Sequence, residues 1–255
     1  MVVEIMKTAL HPTKNESIDV PAYIDEFGTK LDKHGDLNER PLARCPACDS
    51  QMHTKGEVNP AVDGVFSHQP DVDVFCPLKI SAEQPYIVLD DVEEDRVKTK
   101  LLRTSFLSNW KYHYALMKSH LKVLSIFDFI KLIKFADKYK IWSYRHIEET
   151  QLPFIFLALK EFPPVKNKEN KYIRRDWVRF WFDSRVRNLN DLWISTDGDW
   201  LLIKAIYANP RSGGIPSQKQ LKTTEIIQPN FDMLGGCEPK LPDFVVEVMR
   251  KEFGV

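Results

Sequence analysis

The sequence predicts a mainly α fold with a small N-terminal module of short strands and loops. Three observations predict it. Residues 1–90 are rich in Pro, Gly, Asn and Asp and hold only short apolar pieces, whereas residues 93–147 contain neither Pro nor Gly and repeat apolar side chains at helical spacing. Three of the four cysteines also fall within residues 45–76. We therefore place a zinc-ribbon-like module at 1–90 and a mainly helical domain at 91–255.

Two helices are predicted between residues 93 and 147. The first follows the acidic residues at 90–95, which suit a helix N-terminus, and its apolar residues recur at three- and four-residue steps. These are Leu101, Leu102, Phe106, Trp110, Tyr114, Met117 and Leu121. The second begins at Ser125 or Asp128 and directs Lys131, Lys134 and Lys138 toward water.

Beyond residue 150 the pattern is less regular. The apolar run 154–159 favours a helix over a strand, and residues 170–187 are expected to present one aromatic and one cationic face, as an amphipathic helix does. Residues 200–203 fit a strand or a helix start. Pro216–Leu221 resembles a helix start with Ser217 as N-cap, and Pro242–Phe253 a last helix that ends before Gly254.

The charges are unevenly distributed along the 255 residues, although 36 basic and 36 acidic side chains cancel overall. Residues 1–95 hold 8 Lys and Arg against 19 Asp and Glu, a net charge of −11. Residues 96–146 hold 12 against 2, a net charge of +10. Such asymmetry predicts either a polyanion partner or docking of the two blocks on each other.

The cysteines form the clearest chemical motif, Cys45-x2-Cys48-x19-His68-x7-Cys76. A Cys-Pro-Ala-Cys step makes a tight turn whose two thiolates point at one ion, and two further ligands complete the tetrahedron that Zn²⁺ favours in closed structural sites. His53 is the alternative nitrogen ligand. We prefer His68 because it follows an apolar approach, Val65-Phe66-Ser67, in a second ligand-bearing turn. Free thiols and a redox dithiol are the competing interpretations.

This stretch resembles the N-terminal zinc-ribbon module of the competence-protein CoiA-like family. The resemblance covers about 35 residues and rests on Cys45-Pro46-Ala47-Cys48, then Met52, Gly56 and Val65–His68, and finally Cys76-Pro77. The resemblance implies that the binding partner is DNA, because such modules accompany a nuclease domain in that family. The Glu-x-Lys element of such nucleases is not found on a predicted strand after a suitable Asp.

The sequence thus predicts a non-catalytic, zinc-containing protein that binds nucleic acid, DNA rather than RNA, or acts as an adapter. The phosphate-contacting candidates are Lys131, Lys134, Lys138, Arg174, Arg175 and Arg179. One alternative is a protein-interaction subunit of a larger complex, and another is a metal-dependent nuclease that uses Asp197 and Asp199. Phosphate-loop, dinucleotide, hydrolase and metalloprotease motifs are absent. The sequence holds no apolar run of membrane-spanning length and no signal-peptide pattern at its start, so we expect a cytoplasmic protein without a membrane partner.

Overall fold

A computed structural model describes residues 6–69, 76, 95–144, 146–183, 186, 189, 200–211, 213–216, 220–229 and 236–255. The prediction of a mainly α fold is wrong, because helices and three antiparallel sheets share the described part of the chain. The missed strands lie mostly after residue 160. The boundary predicted at residue 90 falls outside the described residues.

The N-terminal region forms a five-stranded sheet. Its strands are β1 (Thr8–Leu10), β2 (Ser17–Asp19), β3 (Ala43–Arg44), β4 (Gln51–Lys55) and β5 (Val65–His68), in the order β2-β1-β3-β4-β5. The prediction of short strands is confirmed, but two helices were missed, α1 (Val20–Phe27) and the single turn α2 (Pro60–Asp63). The Asp19 side chain caps α1 by accepting a hydrogen bond from the Ala22 amide at 2.9 Å.

A helical layer follows. The predicted long first helix is two helices, α3 (Arg96–Ser108) and α4 (Trp110–His120), which meet at Asn109. The predicted second helix is α5 (Ile126–Lys138), and the Ser125 hydroxyl caps it by accepting a hydrogen bond from the Asp128 amide at 3.1 Å. Two short 3-10 helices (Ile141–Ser143 and Glu149–Gln151) lead into α6 (Leu152–Ala158), which confirms the helix favoured for the 154–159 run.

The helix expected across 170–187 is wrong. The chain instead forms β6 (Val165–Lys166), β7 (Tyr172–Arg174) and β8 (Trp177–Phe182). Strand β8 then pairs with β9 (Leu202–Tyr207), and β9 pairs with β10 (Leu221–Ile227) in an antiparallel sheet. Side chains alternate across a strand, so the aromatic residues at four of the six positions of β8 lie on both faces, and the sequence resembles that of an amphipathic helix.

The C-terminal sheet β10-β9-β8 separates two hydrophobic cores. Val178, Phe180 and Phe182 belong to the core of the helical layer, whereas Trp181 belongs to the core of the N-terminal sheet, with Trp177 packed against it. The zinc module predicted to pack on helices therefore packs on a sheet. Half of the helix start predicted at Pro216–Leu221, including Ser217, lies outside the described residues; Gln220 is in a 3-10 turn, and β10 begins at Leu221.

The last predicted helix is confirmed as α7 (Asp243–Phe253). Pro242 precedes it, and Gly254 ends it in the left-handed conformation, with a φ of 76°. Within the residues that the structure describes, we find no helix long and apolar enough to cross a lipid bilayer.

Candidate metal centre

The four predicted ligand residues converge in the structure. The ligand atoms of Cys45, Cys48, His68 and Cys76 all lie within 4.8 Å of one another. The Cys45 and Cys76 sulfurs are 3.7 Å apart, and the Cys48 sulfur lies 3.2 Å from His68 Nε2. Side chains separated by up to 31 positions in sequence thus form one candidate metal site.

The hairpin between β3 and β4 positions the first two ligands. The Cys45 amide donates to the Ser50 carbonyl at 2.8 Å, and the Asp49 amide donates to the Cys45 carbonyl at 2.8 Å. Asp49 adopts a φ of 60°, a left-handed conformation that Asp tolerates better than most residues. The Arg44 guanidinium bonds the Asp49 carboxylate at 2.8 Å. The Cys-Pro-Ala-Cys turn is therefore fixed by its own backbone and by one ion pair.

The pairing of β4 with β5 selects the histidine. His68 stands opposite Met52, and His53 stands opposite Ser67. Because neighbouring residues of a strand point to opposite faces, His68 and His53 lie on opposite faces of the sheet. His68 is on the face that carries the cysteines, and His53 instead lines a surface pocket with Arg40 and Leu42. The preference for His68 agrees with this geometry.

Burial gives the site its electrostatic character. Cys45 and Cys76 are fully buried, and His68 is nearly so. Burial and the neighbouring thiols raise the pKa of Cys45 well above its ordinary value. Hydrogen bonds from the Cys45 and Cys76 thiols instead lower the pKa of Cys48. Several thiolates this close together in a buried site need a cation to balance their charge, which a divalent metal ion supplies.

The six basic residues predicted to contact phosphate do not form one surface. Lys131, Lys134 and Lys138 lie on the exposed face of α5, as expected, and Arg175 is also exposed. The Arg174 guanidinium instead donates to the carbonyls of Pro163 and Val123. Arg179 is fully buried, with an ion pair of 2.5 Å to Glu161, so a surface role for Arg179 is wrong. An arginine on an alternating strand points inward or outward according to register, which composition does not show.

Two further arrangements were not predicted. The buried His113 meets a carboxylate from a distant segment, since its Nε2 lies 2.8 Å from Glu149 Oε1. Trp181 and Tyr207, on the C-terminal sheet, share the hydrophobic core of Cys45 and Cys76. The predicted acidic pair Asp197 and Asp199 lies outside the described residues.

No protein-family model, curated protein or solved structure matches the chain. The resemblance to the CoiA-like zinc-ribbon module stays a prediction that rests on the residues quoted above.

Proposed function

We propose that the protein is a non-catalytic binding protein with one structural Zn²⁺ held by Cys45, Cys48, His68 and Cys76. The observation that carries this proposal is the closed set of four buried or half-buried ligand atoms within 4.8 Å of one another. Zn²⁺ in a tetrahedral site with Zn–S bonds of about 2.3 Å places two sulfurs about 3.8 Å apart. The 3.7 Å between Cys45 and Cys76 fits this spacing.

The composition of the site favours a structural ion. Three thiolates and one imidazole fill the four positions that Zn²⁺ takes in structural sites, whereas catalytic zinc keeps one position for water or substrate. With three ionised thiols the loaded site carries a formal charge of −1. We infer that the ion stabilises the N-terminal sheet and does not activate water.

We propose further that the exposed face of α5 binds the phosphate backbone of nucleic acid. This α5 surface consists of Phe127, Lys131, Lys134, Lys138 and the adjoining Tyr139, all of them exposed. Steps of four, three and four residues align the first four on one side of the helix. Lysines neutralise phosphates, and exposed aromatic rings stack on unpaired bases. The Lys131 side chain is 70% exposed and that of Lys134 56%.

One observation favours the second candidate function, a protein-interaction subunit. Acidic residues near the C-terminus neutralise cations of the helical layer, since Glu252 pairs with Lys134 and Glu238 pairs with Lys111. Asp128 and Asp137 pair with further cations of this layer. This internal compensation reduces the positive potential available to a polyanion.

Salt-dependent binding distinguishes the two candidates. We would measure the anisotropy of labelled single-stranded and duplex DNA, and of RNA, over a range of salt concentrations. If the α5 surface contacts phosphate, Lys131→Ala combined with Lys134→Ala weakens binding and reduces the slope of log K against log salt by about 1.4 to 1.8, since each lost contact contributes about 0.7 to 0.9.

The matched control is Lys14→Ala combined with Lys33→Ala, which removes the same charge from exposed positions of the N-terminal region. It should leave the slope unchanged. Equal losses in both double variants would contradict a specific α5 surface. If the zinc-loaded wild-type protein binds none of the nucleic acids at low salt, the nucleic-acid proposal fails and the protein-interaction candidate takes its place.

A further inference from the structure

Two buried aromatic side chains of the C-terminal sheet carry hydrogen-bond donors without a partner among the described residues. The Trp181 indole nitrogen and the Tyr207 hydroxyl have no hydrogen-bond partner among the residues that the structure describes. Trp181 is fully buried and Tyr207 is 2% exposed, so bulk water does not compensate them. Leaving a buried polar group unpaired is costly, and such a group calls for a specific explanation.

Both donors lie on the side of the sheet that faces the metal centre. Their rings touch edge to face, with centroids 6.3 Å apart. They share one hydrophobic core with Cys45 and Cys76. Burial raises the pKa of Tyr207; the guanidinium of Arg179, 5.8 Å from the centre of the Tyr207 ring, lowers it, and negative charge on Cys76 raises it.

A metal-loaded centre of this composition can accept the hydrogen bonds that these side chains offer. A site with three thiolates and a formal charge of −1 holds sulfur atoms that accept hydrogen bonds, and buried metal sites are regularly completed by donors that orient their ligands. The Cys45 and Cys76 sulfurs lie 3.7 Å apart. A bound metal ion would favour the ionised form of both thiols, so each sulfur would become a charged hydrogen-bond acceptor.

We propose that Tyr207 is a positioning residue of the metal centre, and that its hydroxyl donates a hydrogen bond to the Cys76 thiolate when the ion is bound. The Trp181 indole N–H is placed on the same face to donate to this ligand set. The inference deepens the proposed zinc site and rests on it. It means that the C-terminal sheet completes a site whose ligands all come from the N-terminal region, so that metal binding and packing of the two sheets are coupled.

If the Tyr207 hydroxyl has no role at the metal centre, removing it should change the metal affinity in the opposite direction. If the Tyr207 hydroxyl is merely a tolerated unpaired group, replacing Tyr207 with Phe removes a buried polar atom at no loss, and metal affinity stays the same or rises. If the hydroxyl bonds the thiolate, the same substitution weakens metal binding.

The test uses the full chain and competition titrations with Co²⁺ and Zn²⁺. Tyr207→Phe should bind both ions about 10-fold more weakly and shift the thiolate-to-Co²⁺ charge-transfer band. Tyr23→Phe is the matched control, because Tyr23 is buried in the same core but donates to the Pro41 carbonyl at 2.5 Å. Its loaded site should keep the wild-type spectrum and affinity.

A measurement on the unaltered protein covers the case in which Tyr207→Phe fails to fold. In ¹¹³Cd-loaded wild-type protein, the Tyr207 hydroxyl proton should show a coupling to cadmium through the hydrogen bond. Wild-type affinity and spectrum in a folded Tyr207→Phe protein, or absence of this coupling, would overturn the inference. Failure of the wild-type protein to bind any of these ions would instead overturn the proposed zinc site itself.

Discussion

The N-terminal sheet and the helical layer are stabilised in different ways. The helical layer packs around large rings, with Phe106 within 6.0 Å, centroid to centroid, of Phe129, Trp142 and Phe156. The N-terminal sheet has strands of only two to five residues, and two of its fully buried side chains are cysteines of the metal centre. Small cores regularly need a metal or a disulfide in addition to burial. This difference supports the proposed function, in which a metal ion takes the place of apolar area in the N-terminal region.

Removing a metal ligand should give the largest effect. Cys76→Ser is expected to reduce metal content from about one ion per chain to nearly none, because a hydroxyl replaces a thiolate in a closed site. Structural zinc contributes apparent binding free energies of about 10–16 kcal/mol in zinc-finger peptides, and this energy is coupled to folding. Hydrogen exchange should show lost protection at residues 6–69 and retained protection at 96–158. Metal analysis and far-ultraviolet circular dichroism complete the measurement.

Cys237→Ser is the matched control, since Cys237 is exposed and does not belong to the metal cluster. It should retain both metal and protection. His53→Ala should also retain the metal, whereas His68→Ala should lose it. If Cys76→Ser unfolds the helical layer together with the N-terminal sheet, the two regions form one cooperative unit and are not stabilised separately.

Truncating the aromatic core should give the complementary result. Phe106→Ala leaves a cavity between α3, α5 and α6 and is expected to cost about 3–5 kcal/mol of unfolding free energy, as large core truncations do. The measurement is urea unfolding followed by near-ultraviolet circular dichroism. Metal stoichiometry should remain at about one per chain under native conditions.

Val97→Ala provides the control on the same helix, because Val97 is 72% exposed. Its effect should stay within about 0.5 kcal/mol. Loss of the metal from the folded Phe106→Ala protein would show that the helical core holds the metal centre together, contrary to the comparison.

The sequence revealed those features that depend on neighbouring residues. Helical spacing and the absence of Pro and Gly predicted helices at 96–138, and Ser125 marked the start of α5. The metal ligands were predictable because a two-residue spacing between Cys45 and Cys48 has few other uses, and coordination chemistry limits what completes the set.

Features that depend on distant residues were missed. The C-terminal sheet joins strands that are distant in sequence, and β8 carries aromatic residues on both faces, so neither a period of two nor one of 3.6 stands out. The pairing of His113 with Glu149 spans 36 positions, and the sequence contains no local pattern that joins them. The Arg179 side chain points inward because of its position on β8, which the sequence alone does not show.

We expect the smallest effect from a substitution at Glu149, which tests the helical layer alone. Its carboxylate accepts a hydrogen bond of 2.8 Å from the side-chain amide of Asn109 and another from the Ser105 hydroxyl. It also lies 2.8 Å from His113 Nε2. Burial raises the pKa of Glu149, but the hydrogen bonds from His113, Ser105 and Asn109 together lower it below its ordinary value. These contacts tie α3 and α4 to the 3-10 helix that begins at Glu149.

The direction of the pH dependence follows from this lowered pKa. A carboxyl with a lower pKa in the folded state stabilises the protein fully above its unfolded pKa of about 4.3, and that contribution is lost as the pH falls through the folded value. Glu149→Gln should therefore cost about 1.5–3 kcal/mol near neutral pH, the range for hydrogen bonds to a charged group, and less at pH 4. Urea unfolding between pH 4 and 7 measures the difference. Glu247→Gln, at an exposed position of α7, should follow the wild-type profile. Parallel profiles of the wild type and Glu149→Gln across this range would mean that the buried carboxylate does not stabilise the helical layer through its charge.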